Sequence, residues 1–363
     1  MVNHTACPTP PSSDPIEPAS FDDRAYLDYL AGLRAFTLGK VFGAMSTAAA
    51  AAERAQVATS GKPVTELDEA RQLFDPLPVV AERNRLMRSI QELQWARVLD
   101  AYEPRRAALE AMLDAAVDQG PGTLTLDPAL ALPSYYFGVP FHLQPGGYAV
   151  DPLAGLIYHE GIKVFYAGRS DAARNDDDVK LAMVSKLPRP ADGVVRRVLD
   201  LACAVGQSTT ALKATYPDAE VWGIDLGAPM LRYAHWRAMG LGADVHFAQQ
   251  AAERLTFPDD HFDLVYSNIL FHEVPKDVVP EVLASVNRVL RPGGVFAVND
   301  FTPMSDPPSA FRRYVRHFDT TCNCEPYGYD FVHADLTSSL ASVFTDVEIV
   351  AQNPQTTLWA CRS

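Results

Sequence analysis

The chain has 363 residues, of which 48% are hydrophobic and 21% are charged. At about 150 residues per domain, this length indicates two domains or one elaborated domain, and the composition excludes disorder across the whole chain. Asp and Glu (45) outnumber Lys and Arg (31), so the net charge is −14. Such a charge repels phosphate backbones and anionic lipid, which disfavours a general nucleic-acid or membrane-surface role.

Cysteine content and the first residues bear on the compartment. The five cysteines are an odd and sparse set, which does not indicate a disulfide framework and favours a reducing compartment; they are Cys7, Cys203, Cys322, Cys324 and Cys361. Residues 1–18 lack the basic and apolar regions of a signal peptide, and no apolar run approaches the roughly 20 residues of a membrane span. We therefore expect a soluble, cytoplasmic protein.

The first third of the chain predicts a helical domain. Residues 1–20 are rich in Pro, Ser, Thr and Asp and predict a disordered tail. Apolar residues then recur at helical spacing from Leu27 to Met45, and a second helical stretch covers residues 78–102. A third helix is predicted up to the glycines that precede residue 123. We expect residues 21–122 to form a helical N-terminal domain that covers a substrate or forms a dimer.

Residues 123–193 are dense in Pro, Gly and aromatic residues, and neither the helical nor the strand period is sustained. The segment is too apolar for a flexible linker, so we expect an ordered connection and lid, with a more exposed stretch at residues 171–178. Its aromatic side chains could line a lid over a substrate or could be core residues with satisfied polar groups. These candidates are Tyr135, Tyr136, His142, Tyr148, Tyr158, His159 and Tyr166.

From residue 194 onward, strand and helix patterns alternate. Such alternation predicts an α/β domain with a mostly parallel sheet and helices on both faces. Seven strands are predicted, at residues 194–201, 220–225, 244–248, 262–268, 295–300, 347–351 and 356–361. Helices are predicted between the first five strands, at residues 208–216, 229–239, 251–255 and 277–290. The short link at residues 353–355 predicts that the last two strands are antiparallel.

The segment VLDLACAVGQST (residues 198–209) is the first candidate for chemistry. An apolar strand ends near Asp200, a turn of small residues follows, and a helix begins at residues 207–209. Small side chains allow a ligand to approach the backbone closely, and a helix N-terminus offers unpaired N–H groups. Plain packing of helix against strand explains the same pattern equally well.

The second strand ends in Asp225, which strengthens the ligand interpretation. An acidic side chain at this position can accept hydrogen bonds from both hydroxyls of a ribose. The alternative is a helix N-cap or a solvated turn residue. Because the two strand ends would lie at the same edge of the sheet, Asp200 and Asp225 together favour a nucleoside site.

Three further segments complete a family pattern. They are residues 249–274, with a strand ending in Ser267-Asn268 and the pair His272-Glu273; residues 283–300, with a helix, an Arg-Pro-Gly-Gly turn and a strand; and the terminal strand pair. In this order, residues 194–363 resemble a class I S-adenosylmethionine-dependent methyltransferase of the menaquinone and ubiquinone C-methyltransferase type. The resemblance implies a Rossmann-like seven-stranded sheet, with S-adenosylmethionine as cofactor and S-adenosylhomocysteine as product.

The resemblance also implies roles for individual residues. Those facing the methionyl part and ribose are Asp200, Ala202, Ala204 and Gly206, with Asp225 on the ribose hydroxyls. Those near the adenine are Leu226, Met230, Gln250, Ala251 and Ala252, and Asn268 would lie beside the sulfonium. The sequence departs from the family pattern at Ala202 and Ala204, where glycines are usual, and at Ala251, where Asp or Asn often accepts from the adenine amino group.

His272 and Glu273 are the catalytic candidates. They follow the fourth strand, at the edge where the methyl group should point. Histidine can take a proton near neutral pH, and Glu273 could orient or assist it. The alternative is that the pair caps the following helix.

Residues 303–336 lie where related enzymes carry substrate-recognition insertions. Together with the connection they supply the substrate-binding candidates, which are Tyr158, His159, Tyr166, Arg312, Tyr327 and Tyr329. A solvated helix face accounts for the arginines equally well. Cys322 and Cys324 stand one residue apart without a second pair, so no metal site is predicted.

These observations predict a methyltransferase that acts on a small, aromatic or apolar metabolite, in secondary metabolism. The charge and the sequence Ser-Asn-Ile-Leu after the fourth strand disfavour nucleic-acid substrates. One alternative is a catalytically silent scaffold, which the alanines at positions 202, 204 and 251 motivate. The other is an NAD-dependent dehydrogenase, which the antiparallel terminal pair and the lack of a full G-x-G-x-x-G turn oppose. A homodimer through the N-terminal helices is possible.

Overall fold

The structure is a computed structural model that describes residues 20–166, 176–304, 309–353 and 356–362. The tail predicted for residues 1–20 and the exposed stretch predicted for residues 171–178 lie largely outside these ranges. No helix among the described residues combines the length and the apolar character that crossing a bilayer requires.

The N-terminal part is helical, as predicted. Its helices are α1 (Phe21–Phe36), α2 (Phe42–Ser60), α3 (Leu67–Phe74), α4 (Pro78–Tyr102) and α5 (Arg106–Ala116). Ser20 caps α1 by accepting the backbone N–H of Asp23, and Gly61, with a left-handed backbone, ends α2. A π-helical turn (Thr37–Val41) joins α1 to α2.

The described residues of the connection contribute to both halves of the molecule. It contains a short strand β1 (Thr123–Thr125), a 3-10 turn (Phe141–Leu143), and the helices α6 (Ala154–Tyr166) and α7 (Asp176–Val184). Strand β1 extends the sheet by one strand. Its three residues are too few to show an alternating pattern, which is why the sequence predicted seven strands rather than eight.

The sheet confirms the predicted α/β class. Its other strands are β2 (Arg197–Leu201), β3 (Glu220–Asp225), β4 (His246–Gln249), β5 (Phe262–Asn268), β6 (Leu290–Phe301), β7 (Thr345–Gln352) and β8 (Thr356–Arg362). The strand order is β1-β4-β3-β2-β5-β6-β8-β7. Strands β1 to β6 pair in parallel, whereas β8 is antiparallel to both β6 and β7, as the short link predicted.

Helices cover both faces of this sheet. They are α8 (Gln207–Thr215), α9 (Ala228–Gly240), α10 (Val279–Val289), α11 (Ala310–Cys322), α12 (Gly328–His333) and α13 (Leu336–Ala341). The central strands are buried on both faces; six of the seven residues of β5 are buried. This explains why their sequences read as continuous apolar runs rather than as alternating ones.

Helix α6 joins the N-terminal helices to the sheet domain through two close approaches. A Cβ at Gly161 would lie 2.1 Å from the ring of Trp95 in α4, and one at Gly155 would lie 2.9 Å from the carbonyl oxygen of Pro229 in α9. Only glycine fits at either contact, so α6 lies directly between α4 and α9. One buried cluster accordingly contains Leu30 of α1 and Tyr233 of α9.

We expect Gly155→Ala to lower the free energy of unfolding by about 1–3 kcal/mol. The added methyl group would meet backbone atoms of α9, which cannot move without shifting the helix. Denaturant unfolding followed by circular dichroism measures the change.

The matched control is Gly43→Ala in α2, where no atom lies within 4 Å of the new Cβ. Because alanine has the higher helix propensity, this variant should be neutral or more stable by up to about 1 kcal/mol. Equal destabilisation by both substitutions would show that the close contact of α6 with α9 is not what stabilises the protein.

Candidate active site

A cavity of about 890 Å³ opens at the carboxyl ends of strands β2, β3, β5 and β6. This volume lies within the range of small-molecule sites, and the carboxyl edge is where open α/β sheets bind ligands. Four parts of the chain form its walls. They are the sheet edge, the connection, the helices α11 and α12 with the residues between them, and the N-terminal helices, which contribute Leu38, Phe42, Arg83 and Met87.

The turn after β2 has a left-handed backbone, the conformation that glycine adopts most easily. Ala202 and Ala204 have φ values of 51° and 48°, and Gly206 has 73°. A left-handed conformation costs a non-glycine residue about 1–2 kcal/mol. The two alanines thus preserve the backbone shape of the family turn at some cost in stability.

Asp200 is buried beneath this turn and lines the cavity. Its Oδ2 accepts the hydroxyl of Thr209, at 2.7 Å. Burial raises the pKa of Asp200 to about 7, against the lowering effects of Thr209 and of the Lys180 ammonium. The folded protein therefore holds this carboxyl close to its midpoint of ionisation at neutral pH.

Asp225 connects three segments through one carboxylate. It accepts the N–H of Ala204 at 2.9 Å, the N–H of Gly227 at 2.8 Å, and the hydroxyl of Tyr136 at 3.2 Å. Burial raises its pKa, while these hydrogen bonds favour the charged form. The side chain is therefore neither a helix cap alone nor a solvated turn residue, because it joins the turns after β2 and β3 to the connection.

The other cofactor candidates divide into two groups. Ala202, Ala204, Leu226, Gln250, Ala252 and Asn268 line the cavity. Gly206, Met230 and Ala251 are buried and are not among the lining residues of the described chain. Near Ala251, the side-chain oxygen of Gln250 accepts the N–H of Thr256, and Glu253 lines the cavity while accepting the hydroxyl of Tyr135.

Two residues of strand β6, Asp300 and Phe301, hold the side chain of His272 in position. It lies in a 3-10 turn (Phe271–Glu273), its Nδ1 is 2.7 Å from Oδ1 of Asp300, and its ring stacks on Phe301 at 4.0 Å. Its Nε2 has no hydrogen-bond partner among the described residues. Burial alone would lower the pKa of His272, but Asp300 and Glu273 raise it to about 10. The residue does not cap α10.

Glu273 and His142 extend this pair into a network. Oε1 of Glu273 lies 3.5 Å from Nε2 of His272 and 3.3 Å from Nε2 of His142. Nδ1 of His142 lies 3.2 Å from Glu325, which also accepts the side-chain amide of Asn323. Burial opposes the charged form of His142, but the two glutamates raise its pKa to about 9.

His142 is held in a strained conformation. Its φ of 52° is left-handed, and its carbonyl accepts both Nε2 of Gln91 (2.8 Å) and Nε1 of Trp95 (2.7 Å) from α4. Strain of this kind persists only where surrounding structure imposes it, and it concentrates at functional sites. Helix α4 of the N-terminal domain thus fixes a side chain of the cavity wall.

The predicted substrate residues do not all reach the cavity. Tyr158, Tyr166 and Arg312 line it. His159 is buried instead, with Nδ1 at 2.7 Å from the Tyr233 hydroxyl. Tyr327 donates to the carbonyl of Tyr135 and Tyr329 packs on His333, and neither is among the lining residues of the described chain.

The sequence analysis missed several residues of the site. Asp300 holds His272 and is not among the lining residues of the described chain. It stands at the end of the predicted strand 295–300, so the rule that identified Asp200 and Asp225 could have identified it. Glu325 and Lys180 carry no sequence signal of this kind, since only the folding of α7 and of the segment after α11 brings them to the cavity. Within the described ranges, no group of three or more His, Cys, Asp or Glu is arranged to hold a metal ion.

Comparison with known proteins agrees with this geometry. Residues 198–294 match the family described as a methyltransferase domain. The chain is 38% identical over 116 residues to a demethylmenaquinone methyltransferase of Thermus thermophilus, covering 32% of this chain and 51% of the relative. It is 36% identical over 118 residues to a fatty-acid O-methyltransferase of Mycolicibacterium smegmatis (32% and 42%).

A third relative is phosphoethanolamine N-methyltransferase 1 of Arabidopsis thaliana, 30% identical over 155 residues that cover 42% of this chain and 30% of the relative. The chain therefore spans about half or less of the length of these curated relatives. The matched residues run from β2 into β6 and include the turn after β2, Asp225 and His272. This part of the chain belongs to the class I S-adenosylmethionine-dependent methyltransferases, as its sequence indicated.

Proposed function

We propose that the whole protein transfers a methyl group from S-adenosylmethionine to a small acceptor with an aromatic or apolar frame, with His272 as the base. The observation that carries this proposal is that both Asp225 and His272, whose Nε2 makes no hydrogen bond within the described residues, line a single cavity. The sparse cysteines favour a reducing, cytoplasmic compartment as part of this proposal, and a place in secondary metabolism stays a prediction.

The cavity residues fit the chemistry of the cofactor. A carboxylate offers about four acceptor positions, of which Asp225 uses three on protein donors, including the hydroxyl of Tyr136. A ribose hydroxyl could take the remaining position or replace Tyr136. Asp200 offers an acceptor for the ammonium group, and the cofactor carboxylate could meet Lys180 or the N-terminus of α8, where no side chain caps the helix. When bound, the cofactor supplies an electrophilic methyl group on a sulfonium.

We infer that the N-terminal domain, residues 21–122, covers the acceptor. Leu38 lies in the π-helical turn and Phe42 begins α2, and both line the cavity beside Met87 of α4. A π-turn changes the direction of side chains along a helix and recurs at functional sites. Phe311 of α11, whose ring centroid lies 5.9 Å from that of Phe42, and Val315 continue this apolar wall, which suits an aromatic or apolar acceptor.

The role of His272 follows from its two ring nitrogens. Asp300 accepts the Nδ1 proton, which leaves Nε2 directed at the cavity as the proton acceptor once the ring is neutral. Because the pKa of His272 is raised to about 10, the ring is protonated in the empty site at neutral pH. The base form is therefore the minor form at neutral pH and increases with pH.

The first test is binding of S-adenosylhomocysteine to Asp225→Asn, measured by calorimetry. Loss of the full carboxylate charge should weaken binding by about ten-fold or more. Asp263→Asn is the matched control, since Asp263 is equally buried but binds Arg291 and the N–H groups of residues 196 and 197. The control should lose stability and keep its affinity. No binding by the unaltered protein would favour the silent scaffold, and binding of NAD in its place would favour a dehydrogenase.

A second prediction concerns Asp200→Asn. The pKa of Asp200 is raised on folding, so its ionised form destabilises the folded protein increasingly as the pH rises from about 4 to about 7. Asparagine cannot ionise, and the variant should be more stable at pH 8 by about 1–3 kcal/mol, with a smaller gain at pH 5. Unfolding curves at both values measure this. The same variant should bind S-adenosylhomocysteine more weakly. A gain in stability that is the same at pH 5 and pH 8 would contradict the raised pKa of Asp200.

A third prediction concerns pH. If neutral His272 is the base, kcat/KM for any acceptor that is turned over should rise with pH up to about 10. Asp300→Asn removes a charge that raises the pKa of His272. The rise of kcat/KM should therefore occur at lower pH, and the value of kcat/KM at high pH should be smaller. His159→Gln, which changes a buried histidine outside the cavity, should leave the profile in place. A profile unchanged by Asp300→Asn would remove His272 from the role of base.

A further inference from the structure

Three buried polar atoms at one end of the cavity have no hydrogen-bond partner among the described residues. They are Nε2 of His272, Oε2 of Glu273 and Oε2 of Glu325, and all three residues line the cavity. The side chains of His272 and Glu325 are 1% and 4% exposed. Nε2 of His272 faces Oε1 of Glu273 at 3.5 Å, whereas the two glutamate Oε2 atoms face no donor among the described residues. An unsatisfied buried polar atom is costly, so these two oxygens indicate a missing hydrogen-bond donor.

The charges around this space do not balance. The carboxylates of Asp300, Glu273 and Glu325 face the imidazoles of His272 and His142 at distances of 2.7–3.5 Å. With every group ionised, the cluster carries one net negative charge.

The pKa directions agree with full ionisation near neutral pH. Burial opposes ionisation of Glu273 and Glu325, but the histidines lower the pKa of both carboxyls, and the carboxylates raise the pKa of both imidazoles. A further cation, Arg316, lies over the ring of Phe301 and contributes to the lowered pKa of Glu325. Arg316 also pairs with Asp319 at 3.5 Å, so counting both charges leaves one net negative charge.

The chemistry of the unsatisfied atoms selects the ligand group. An ionised carboxylate accepts hydrogen bonds and cannot donate them, so Glu273 and Glu325 require a donor. A buried negative charge is stabilised by a cation that approaches with hydrogen bonds. An ammonium group donates to both carboxylates and supplies the positive charge, whereas a hydroxyl lacks the charge and a carboxylate would be repelled. Nε2 of the protonated His272 is itself a donor, and Oε1 of Glu273, at 3.5 Å, is the acceptor that faces it.

The surroundings select the frame that carries this group. Phe301 stacks on His272, and Phe165 lies against His142 with ring centroids 4.9 Å apart. Farther along the cavity are Phe42, Phe311 and Met304, which offer apolar contact and no charge. An amine on an apolar or aromatic frame would make apolar contact with these side chains.

We propose that the cluster of His142, His272, Glu273, Glu325 and Asp300 binds the ammonium group of an amine carried on an apolar or aromatic frame. This inference deepens the proposed function by naming the class of acceptor, and it rests on that function for the identity of the reaction. Binding of the amine depends on the cluster and not on the sites of Asp200 and Asp225.

The test is calorimetric titration of the full chain with three probes of similar shape, in the absence and in the presence of saturating S-adenosylhomocysteine. The probes are 2-phenylethylamine, 2-phenylethanol and 3-phenylpropanoate at pH 7.5. We expect the amine to bind about ten-fold more tightly than the alcohol, and the carboxylate to bind least. Binding of the carboxylate or the alcohol as tightly as the amine, or no binding of the amine at millimolar concentration, would overturn the inference.

Substitutions test whether the cluster binds the ammonium group of the amine. Glu325→Gln should reduce the affinity for the amine about ten-fold and leave that for the alcohol unchanged. Glu253→Gln, at another glutamate of the cavity wall, is the matched control and should change neither. If Glu325→Gln does not fold, Glu273→Gln provides the same comparison. If Glu325→Gln binds the amine as tightly as the control Glu253→Gln does, the site is contradicted. If the unaltered protein binds the amine but not S-adenosylhomocysteine, the proposed function is contradicted and this inference is not.

Discussion

The carboxylate of Asp225 is the interaction on which the cavity depends. Two of its hydrogen bonds fix the turns after β2 and β3, and the third, from Tyr136, attaches the connection to the sheet edge. Once the connection is held there, α6 lies between α4 and α9, where its glycines allow close approach. The position of the N-terminal helices over the cavity follows from these contacts.

Several residues of the cavity wall lower the stability of the folded protein. Ala202, Ala204 and His142 hold left-handed backbone, Asp200 is buried with a raised pKa, and three polar atoms around His272 lack partners among the described residues. Each feature costs the folded protein free energy, and each lies in the wall of one cavity. A ligand that supplies hydrogen bonds and charge would recover part of that cost on binding, which is the behaviour expected of a functional site.

Much of the fold and half of the site could be predicted from the sequence. Asp200 and Asp225 were predicted because parallel strands end at one edge, where polar side chains face the same space, and Asn268 was predicted from the family resemblance. The eighth strand was missed because three residues carry no period. The substrate candidates fared less well, since an aromatic residue in an irregular segment gives no indication of the direction in which its ring points.

The sequence by itself determined the sheet class, the positions of seven of its strands and the antiparallel last pair, because these depend on local apolar periodicity and on the length of the connections. Only the tertiary structure decided that His142 and Glu325 meet Glu273 and His272, from segments more than 40 residues apart in sequence. Their contact depends on how irregular segments lie over the sheet. That placement is fixed by long-range hydrogen bonds, such as those from Gln91 and Trp95 to His142, which leave no local pattern in the chain.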